Sequence, residues 1–264
     1  MLNIVVCVKV VTDPEAPAST FKLDPAGSRV APAAGVPPVI NPYDENALEA
    51  ALRIKDKQLC RITVVSAGKT VPKAVIRKCL AVGADALVII EDDIFEGADS
   101  FITARLLAAA VRKLGEFDLV LAGRMAADTN AGQVGSGLAE ILGMPAVTVA
   151  SKIDIDGGKV RIERALAEGR EVVETGLPCM VTVSHELGEL RAASVKGLMA
   201  AQKQPLTTWR AGDLEVGTAS QRCRTARLFI PERAVNCELI DAGSPEEAGA
   251  ALAIRLRETL NPKP

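Results

Sequence analysis

The segment from Gly123 to Ser136 contains residue types that can bind phosphate through the backbone. It reads Gly-Arg-Met-Ala-Ala-Asp-Thr-Asn-Ala-Gly-Gln-Val-Gly-Ser and joins an apolar run to a helical pattern. Small residues let backbone N–H groups approach a phosphate, and the N-terminus of a helix adds positive potential. An ordinary strand-to-helix loop has the same composition, so this segment alone leaves both interpretations open.

The chain offers little for acid–base or nucleophilic catalysis. His185 is its one histidine, and although general acid–base catalysis most often uses histidine, a lone one after a strand more commonly has a surface or capping role. The sequence contains no G-x-S-x-G, H-E-x-x-H or P-loop pattern. No two of its six cysteines form a C-x-x-C pair, so zinc or dithiol chemistry is not expected. We therefore expect a binding protein or an electron carrier, without catalytic residues of its own.

The composition favours a large aliphatic core and argues against nucleic-acid binding. Hydrophobic residues make up 48% of the 264 residues, whereas aromatic residues make up only 3%. Such a core suits parallel strands that are covered by helices on both faces. The net charge of −2 gives no basic face of the kind that nucleic-acid binders show.

Strand and helix patterns alternate through the first half of the chain. Strands are predicted for the N-terminus up to Val11, Arg61–Ser66, Ala86–Ile90, Asp118–Gly123 and Pro145–Ala150. Helices are predicted to open at Asn41, with Pro42 at the first helical position, and to span Pro72–Val82, Asp99–Leu114 and Gly137–Leu142. This alternation predicts an α/β fold with a doubly wound, mostly parallel sheet and a ligand site at its carboxyl edge.

Other patterns predict an antiparallel hairpin and a C-terminal arm. The hairpin is formed by Lys159–Arg164 and Arg170–Thr175, and a buried strand follows at Pro178–Val183. We also expect a short hairpin of Phe21–Leu23 with Arg29–Val30, a loop over Gln202–Thr218, a short strand over Cys223–Ile230 and a helix from Ser244 to Leu260. The predicted division is an α/β nucleotide-binding domain over 1–220 and an arm over 221–264 that packs on a partner subunit.

The N-terminal segment favours a cytoplasmic protein. Its apolar run is short, β-branched and interrupted by Lys9, which is typical of a buried strand rather than a signal peptide. No segment approaches the roughly 20 apolar residues that a membrane span requires.

Ordered motifs along nearly the whole chain resemble the β subunit of electron-transfer flavoproteins, the FixA family. These motifs are Val5–Lys9, Ile40–Glu49, Val64–Gly68, Ala81–Asp85, the loop that starts at Gly123, Leu177–Val183 and Thr208–Leu214. The resemblance implies an adenine-nucleotide α-hydrolase-like, Rossmann-like fold. It also implies a non-enzymatic electron carrier that shares one FAD with an α subunit and holds AMP in the β subunit.

Carried over by position, the family's AMP contacts imply a set of cofactor-binding residues that act mostly through the backbone. They are Cys7, Asn41, Pro42, Tyr43, Asp44, Ala67, Gly123, Arg124, Met125, Ala126, Ala127, Asp128, Thr129, Asn130, Ala131, Gly132, Gln133 and Val134. For Cys7, a plain core position remains an equal alternative.

The resemblance also implies a docking segment and its partners. Val195, Leu198 and Met199 fall in the family's docking loop, and Val195 stands where the family usually has Leu. The implied partners are an α subunit in a heterodimer and an acyl-CoA or other flavin dehydrogenase. A quinone oxidoreductase or ferredoxin is a further option.

Three alternatives remain open from the sequence. Gln133-Val134-Gly135 is more similar to electron-bifurcating members, which hold a second FAD in the β subunit instead of AMP. A stand-alone adenine-nucleotide-binding regulatory module would share the fold but would not need the arm from Ser184 to Pro264. An adenylating ligase would need a phosphate-binding lysine and a metal-binding carboxylate set, and the sequence shows neither pattern.

Overall fold

The computed structural model describes residues 1–24, 30–31, 35–216, 220–230 and 237–260. The chain forms two compact units, Met1–Arg227 and Leu228–Pro264. In chain order the strands are β1 (Leu2–Val8), β2 (Val10–Thr12), β3 (Lys22–Leu23), β4 (Val30–Ala31), β5 (Pro38–Ile40), β6 (Cys60–Gly68), β7 (Ala86–Glu91), β8 (Leu119–Gly123), β9 (Ala146–Asp156), β10 (Lys159–Leu166), β11 (Gly169–Gly176), β12 (Cys179–Val183) and β13 (Thr207–Trp209). The α-helices are α1 (Pro42–Lys55), α2 (Lys73–Ile76), α3 (Lys78–Val82), α4 (Ser100–Leu114), α5 (Val134–Leu142), α6 (Val195–Lys203) and α7 (Pro245–Leu260).

In the described part of the chain, nine strands form one sheet in the order β11-β10-β9-β12-β8-β1-β6-β7-β13. All neighbours from β9 to β13 in that order run parallel, while β10 pairs antiparallel with both β9 and β11. The predicted α/β fold with a mostly parallel, doubly wound sheet and an antiparallel hairpin is confirmed. The chain moves outward from β1 to β7 and then returns to β8 on the other side of β1, which opens a crevice at the carboxyl ends of these strands.

Both faces of the central strands are buried, because helices cover each face. Along β1, Ile4, Val6 and Val8 pack into the cluster on the side of α1 and α3, while Val5 and Cys7 pack on the side of α4 and α5. Alternate side chains of a strand point to opposite faces. The continuous apolar run of β1 therefore contributes side chains to the core on both faces of the sheet, as is typical of a buried parallel strand.

Several element boundaries differ from the sequence predictions. The first strand ends at Val8, and β2 is a separate strand that pairs with β5. The predicted helix over Pro72–Val82 is divided into α2 and α3, directly after the β-branched pair Val75–Ile76, which lowers helix propensity. Helix α5 begins three positions before the predicted Gly137, since the glycines at its start obscure the helical pattern.

The C-terminal half of the first unit differs more. The predicted loop over Gln202–Thr218 contains β13, a three-residue strand that is too short to give a period of its own. The predicted strand over Cys223–Ile230 is wrong, because the structure has no strand in this run. The Cys223 N–H donates to the Asp99 carboxylate at 2.8 Å instead of joining a sheet.

The remaining predictions concern short elements. β3 and β4 pair antiparallel as the expected hairpin, although Arg29 lies outside the described residues. In the second unit, α7 begins after Ser244, whose Oγ accepts the Glu247 N–H at 3.2 Å as an N-cap. Packing of the arm on a partner stays a prediction. No helix in the described ranges is long and apolar enough to cross a bilayer.

Candidate functional site

A cavity of about 250 Å³ lies at the carboxyl edge of the sheet, where the strand order reverses. The ends of β1, β6 and β8 contribute Cys7, Ala67 and Gly123 to its lining. The loop after β8 and the first turns of α4 and α5 supply the remaining walls. This is the position at which open α/β sheets bind their ligands.

Most of the predicted cofactor-binding residues surround this cavity. They are Cys7, Asn41, Asp44, Ala67, Gly123, Arg124, Met125, Ala126, Thr129, Ala131, Gly132, Gln133 and Val134. Pro42, Tyr43, Ala127, Asp128 and Asn130 belong to the same segments but do not form part of the described lining. That any of these residues contacts a cofactor stays a prediction.

The sequence reasoning missed one wall of the cavity. The additional lining residues are Val8, Lys9, Gly68, Phe95, Ala98, Asp99, Ser100, Thr103, Leu107 and Ala122, together with Gly135, which the sequence already placed in the segment Gly123–Ser136. Several of them follow β7 and open α4, where Asp99 accepts the Ile102 N–H at 2.9 Å as an N-cap. The rule that ligands bind beyond the carboxyl ends of parallel strands could have identified this segment.

Asn41 anchors the loop after β8 to helix α1. It occupies the N-cap position of α1, but its side chain does not cap the helix. Instead, Nδ2 donates to the Met125 carbonyl oxygen at 2.9 Å, and Oδ1 accepts the Ala127 N–H at 3.0 Å. Asn41 is buried, so both hydrogen bonds are shielded from water. The sequence signal for an N-cap thus marks a residue with a different role.

Asp44 joins the ends of β1 and β8. Its buried carboxylate accepts the Lys9 N–H at 2.7 Å and the Gly123 N–H at 2.9 Å. Burial raises the pKa of Asp44 to about 6, and the two backbone hydrogen bonds oppose this rise. At position 123 only glycine fits, because an added Cβ would lie 2.6 Å from the Asp44 Oδ1 atom and from the Tyr43 backbone.

Helix α5 presents its N-terminus to the cavity. Gln133 is its N-cap residue, and the side chain makes no capping hydrogen bond in the described structure, while Val134 and Gly135 line the cavity. Gly135 also packs on β12, because an added Cβ would overlap the Thr182 methyl group. The first turn of α5 can therefore approach the sheet closely and direct backbone N–H groups to an anion.

Arg124 lies against Tyr43 at the rim of the cavity. The centre of its guanidinium group is 5.0 Å from the centroid of the Tyr43 ring, within the range of a cation–π contact. Its buried Nε atom has no hydrogen-bond partner among the described residues. Arg124 is half-buried at this position.

An ion pair links the end of β1 to the loop after β8. The Lys9 Nζ atom lies 2.7 Å from Asp128 Oδ2, and both side chains are partly exposed. Exposed pairs of this kind contribute about 0.2–1 kcal/mol. Of the two residues, only Lys9 lines the cavity.

The structure brings no catalytic set together in its described ranges. His185 is exposed, with Nδ1 3.4 Å from a Glu186 carboxylate oxygen. Burial, with a smaller contribution from Asp44, raises the pKa of the Cys7 thiol to about 12, so it stays protonated at neutral pH. No group of His, Cys, Asp and Glu in the described residues could hold a metal ion.

The predicted docking residues lie on a helix rather than on a loop. Val195, Leu198 and Met199 belong to α6 and are 75%, 49% and 61% exposed. Large exposed apolar side chains that cluster on one surface are typical of an interaction site. We call these three residues the docking face.

Comparisons with known proteins agree with the sequence resemblance. Residues 31–214 match the model of the electron transfer flavoprotein domain. The chain is 38% identical to the caffeyl-CoA reductase–Etf complex subunit CarD of Acetobacterium woodii, over 97% of this chain and 98% of that protein. It is 39% identical to the electron transfer flavoprotein subunit beta of Clostridium acetobutylicum, over 83% and 82% of the two chains. The protein FixA of Azorhizobium caulinodans is 33% identical, over 96% of this chain and 93% of its own.

Proposed function

Because this chain belongs to the electron transfer flavoprotein family as a β subunit and functions in electron transfer, we propose that its cavity holds AMP. We further propose that one FAD is shared between this chain and an α subunit. The observation that carries the first proposal is the cavity itself, which combines an N-terminus of α5 without a side-chain cap and a buried Arg124 Nε atom.

The residues present fit an adenine mononucleotide. The N-terminal amides of α5 supply hydrogen-bond donors and positive potential for one phosphate. Cys7, Ala67, Ala98 and Ala122 give the remaining lining small, weakly polar surfaces that suit a flat base. Ligand pockets commonly enclose about 300–1,000 Å³, and this cavity of about 250 Å³ approaches that range.

Flavin, when bound, supplies the electron chemistry, while the protein supplies binding, orientation and control of access. In this chain, Asn41 and Asp44 fix the loop after β8 on helix α1. Gly135 lets α5 approach the sheet. These residues keep the cavity in one shape, and they give the chain a scaffolding role in the carrier.

A second FAD in the cavity is the competing occupant. Gln133-Val134-Gly135 supports it, because this motif is more similar to electron-bifurcating members of the family. Arg124 could then pair with the additional charge of a diphosphate. The resemblance to β subunits that hold AMP favours AMP, so we propose AMP as the occupant.

The exposed apolar residues support two macromolecular partners. In the second unit, Leu252, Ile254, Leu256 and Leu260 of α7 are exposed, as expected for an arm that is buried by an α subunit. In the first unit, the docking face suits a flavin dehydrogenase such as an acyl-CoA dehydrogenase.

Nucleotide counting tests the cofactor proposal. The complex with its α subunit is purified and denatured, and the released nucleotides are separated and quantified. One FAD and one AMP per heterodimer support the proposal. Two FAD assign the cavity to the second flavin, and one FAD without another nucleotide excludes both occupants. Stoichiometric FAD on the isolated chain would contradict the shared site.

A further inference from the structure

Helix α1 carries a stripe of polar side chains that holds the segment leading into α6. The α1 stripe consists of Asn46, Glu49, Arg53 and Asp56, whose spacing of three, four and three places them on one helix face. Asn46 Nδ2 donates to the Gly188 carbonyl oxygen at 2.6 Å. Arg53 Nη1 donates to the Leu187 carbonyl oxygen at 2.7 Å. The stripe therefore binds the backbone directly after β12.

Arg191 is the centre of this attachment. The Glu49 carboxylate accepts the Arg191 backbone N–H at 3.1 Å, Nε at 3.0 Å and Nη2 at 3.1 Å. Asp56 accepts Nη1 at 3.1 Å and Nη2 at 2.7 Å. Glu49 is only 5% exposed. Although burial opposes ionisation, the hydrogen bonds from Arg191 lower the pKa of Glu49, so the pair is charged at neutral pH.

The opposite face of α6 is fixed on α3. An added Cβ at Gly197 would overlap the Ala81 carbonyl oxygen, so the two helices are in backbone contact there. Arg77 Nη1 donates to the Ala201 carbonyl oxygen and, at 3.0 Å, to the Gln204 carbonyl oxygen. The segment before α6 is held through Arg191, and the end of α6 through Arg77. The docking face is consequently presented in one orientation.

We propose that buried Glu49, acting through Arg191, is a positioning residue that sets the orientation of the docking face without touching the redox partner. The inference rests on the docking role proposed above for α6. Glu49 is buried beneath the segment it binds, so a partner on α6 cannot reach it. Glu49 can therefore affect electron transfer only by changing the position of α6.

Glu49→Gln tests the inference, with Glu45→Gln as a matched control. The first change turns one acceptor oxygen into an NH₂ group that faces the donors of Arg191. The control removes the ion pair, at 2.7 Å, between Glu45 of the same helix and Lys78 of α3. It leaves Arg191 untouched, as well as the contacts that Gly197 and Arg77 make between α3 and α6. Both heterodimers are assayed with an acyl-CoA dehydrogenase that its acyl-CoA substrate has reduced. Hydrogen exchange is followed at the Leu198 amide, which donates to the Ser194 carbonyl oxygen at 2.9 Å.

We expect Glu49→Gln to raise the KM for the dehydrogenase about tenfold, while kcat, flavin absorbance and nucleotide content stay at the level of the control. Exchange at Leu198 should be faster than in the control. Arg191→Lys keeps the charge but loses the planar fork, so it should give the same pattern if Glu49→Gln folds poorly. A merely structural defect would lower flavin and nucleotide content together with activity.

Two results separate this inference from the docking proposal. If Leu198→Ala raises the KM but Glu49→Gln and Arg191→Lys match the control in KM and exchange, the positioning role is overturned. If Leu198→Ala and Val195→Ala both leave the KM unchanged, the docking role is overturned, and the positioning inference falls with it.

Discussion

Gly135→Ala probes how closely α5 must approach the sheet for the cavity to form. The added methyl group would overlap the Thr182 methyl group and lie 3.2 Å from the Met180 Cε atom. Helix α5 must then move away from β12 at its N-terminus, which lines the cavity. Gly137→Ala is the matched control, because its Cβ would lie 3.3 Å from Ala104 Cβ and requires only a slight adjustment.

The expected change in the free energy of unfolding follows from two opposing contributions. Alanine is about 1 kcal/mol more favourable than glycine in a helix, and this gain applies to both variants. Overpacking a well-filled core costs about 1–3 kcal/mol, and this cost applies chiefly to Gly135→Ala. The free energy of unfolding should therefore fall by up to about 2 kcal/mol for Gly135→Ala and stay level or rise for Gly137→Ala.

Thermal unfolding of the heterodimer measures this difference, at about 2–4 °C per kcal/mol for chains of 150–250 residues. Nucleotide content should fall in Gly135→Ala alone. Thr182→Ser removes the obstructing methyl group and keeps Oγ, which accepts the Val149 N–H at 3.1 Å. The double variant should recover about 0.5–3 kcal/mol relative to the sum of the single changes. Equal Tm values for the two glycine variants, or no recovery with Thr182→Ser, would refute the reasoning.

Three other outcomes are expected. Gly132→Leu places a large side chain at a φ of 64° in the cavity wall. It should therefore release the nucleotide and lower the Tm, while the α-bound flavin stays. An unchanged amount of nucleotide, measured after denaturation of the purified variant, would contradict this. Since burial raises the pKa of Asp44 from 3.8 to about 6, its contribution to the free energy of unfolding is fully present below 3.8 and is lost as pH rises through about 6. In urea unfolding, the free energy of unfolding of wild type minus that of Asp44→Asn should decline across this range, and parallel curves would exclude it. Leu198→Ala or Val195→Ala should slow electron transfer with the dehydrogenase and leave the flavin absorbance intact, as stopped-flow reduction would show; unchanged rates in both variants would remove α6 from the docking surface.

Local signals predicted the kinds of elements and most of their positions. Pro42 after Asn41 marked the start of α1, and Ser244 before Pro245 marked the start of α7. Such signals work because capping and fixed φ angles act within a few residues. Short elements escaped them: β13 becomes a strand only through its pairing with β7, which supplies its hydrogen bonds from outside the segment.

Only part of the candidate site was predicted, because sequence signals report on segments of a few residues. The resemblance and the carboxyl-edge rule identified the ends of β1 and β8 and the loop to α5, whereas the wall formed by Asp99 and Thr103 was not identified. The roles of individual side chains could not be predicted. Asn41 carries an N-cap signal, but its side chain binds the backbone of Met125 and Ala127. These two residues lie 84 and 86 positions further along the chain.

The sequence by itself determined the alternation of strands and helices, the buried character of the central strands and the family. These properties depend on residue type and on periods of two or 3.6 residues, which are local. Tertiary structure alone decided that α1 fixes the cavity loop through Asn41 and Asp44 and holds the segment before α6 through Glu49. Those contacts depend on the order of the strands in the sheet and on which face of α1 packs against the sheet. That order is set by the packing of both sheet faces together, and no local pattern encodes it.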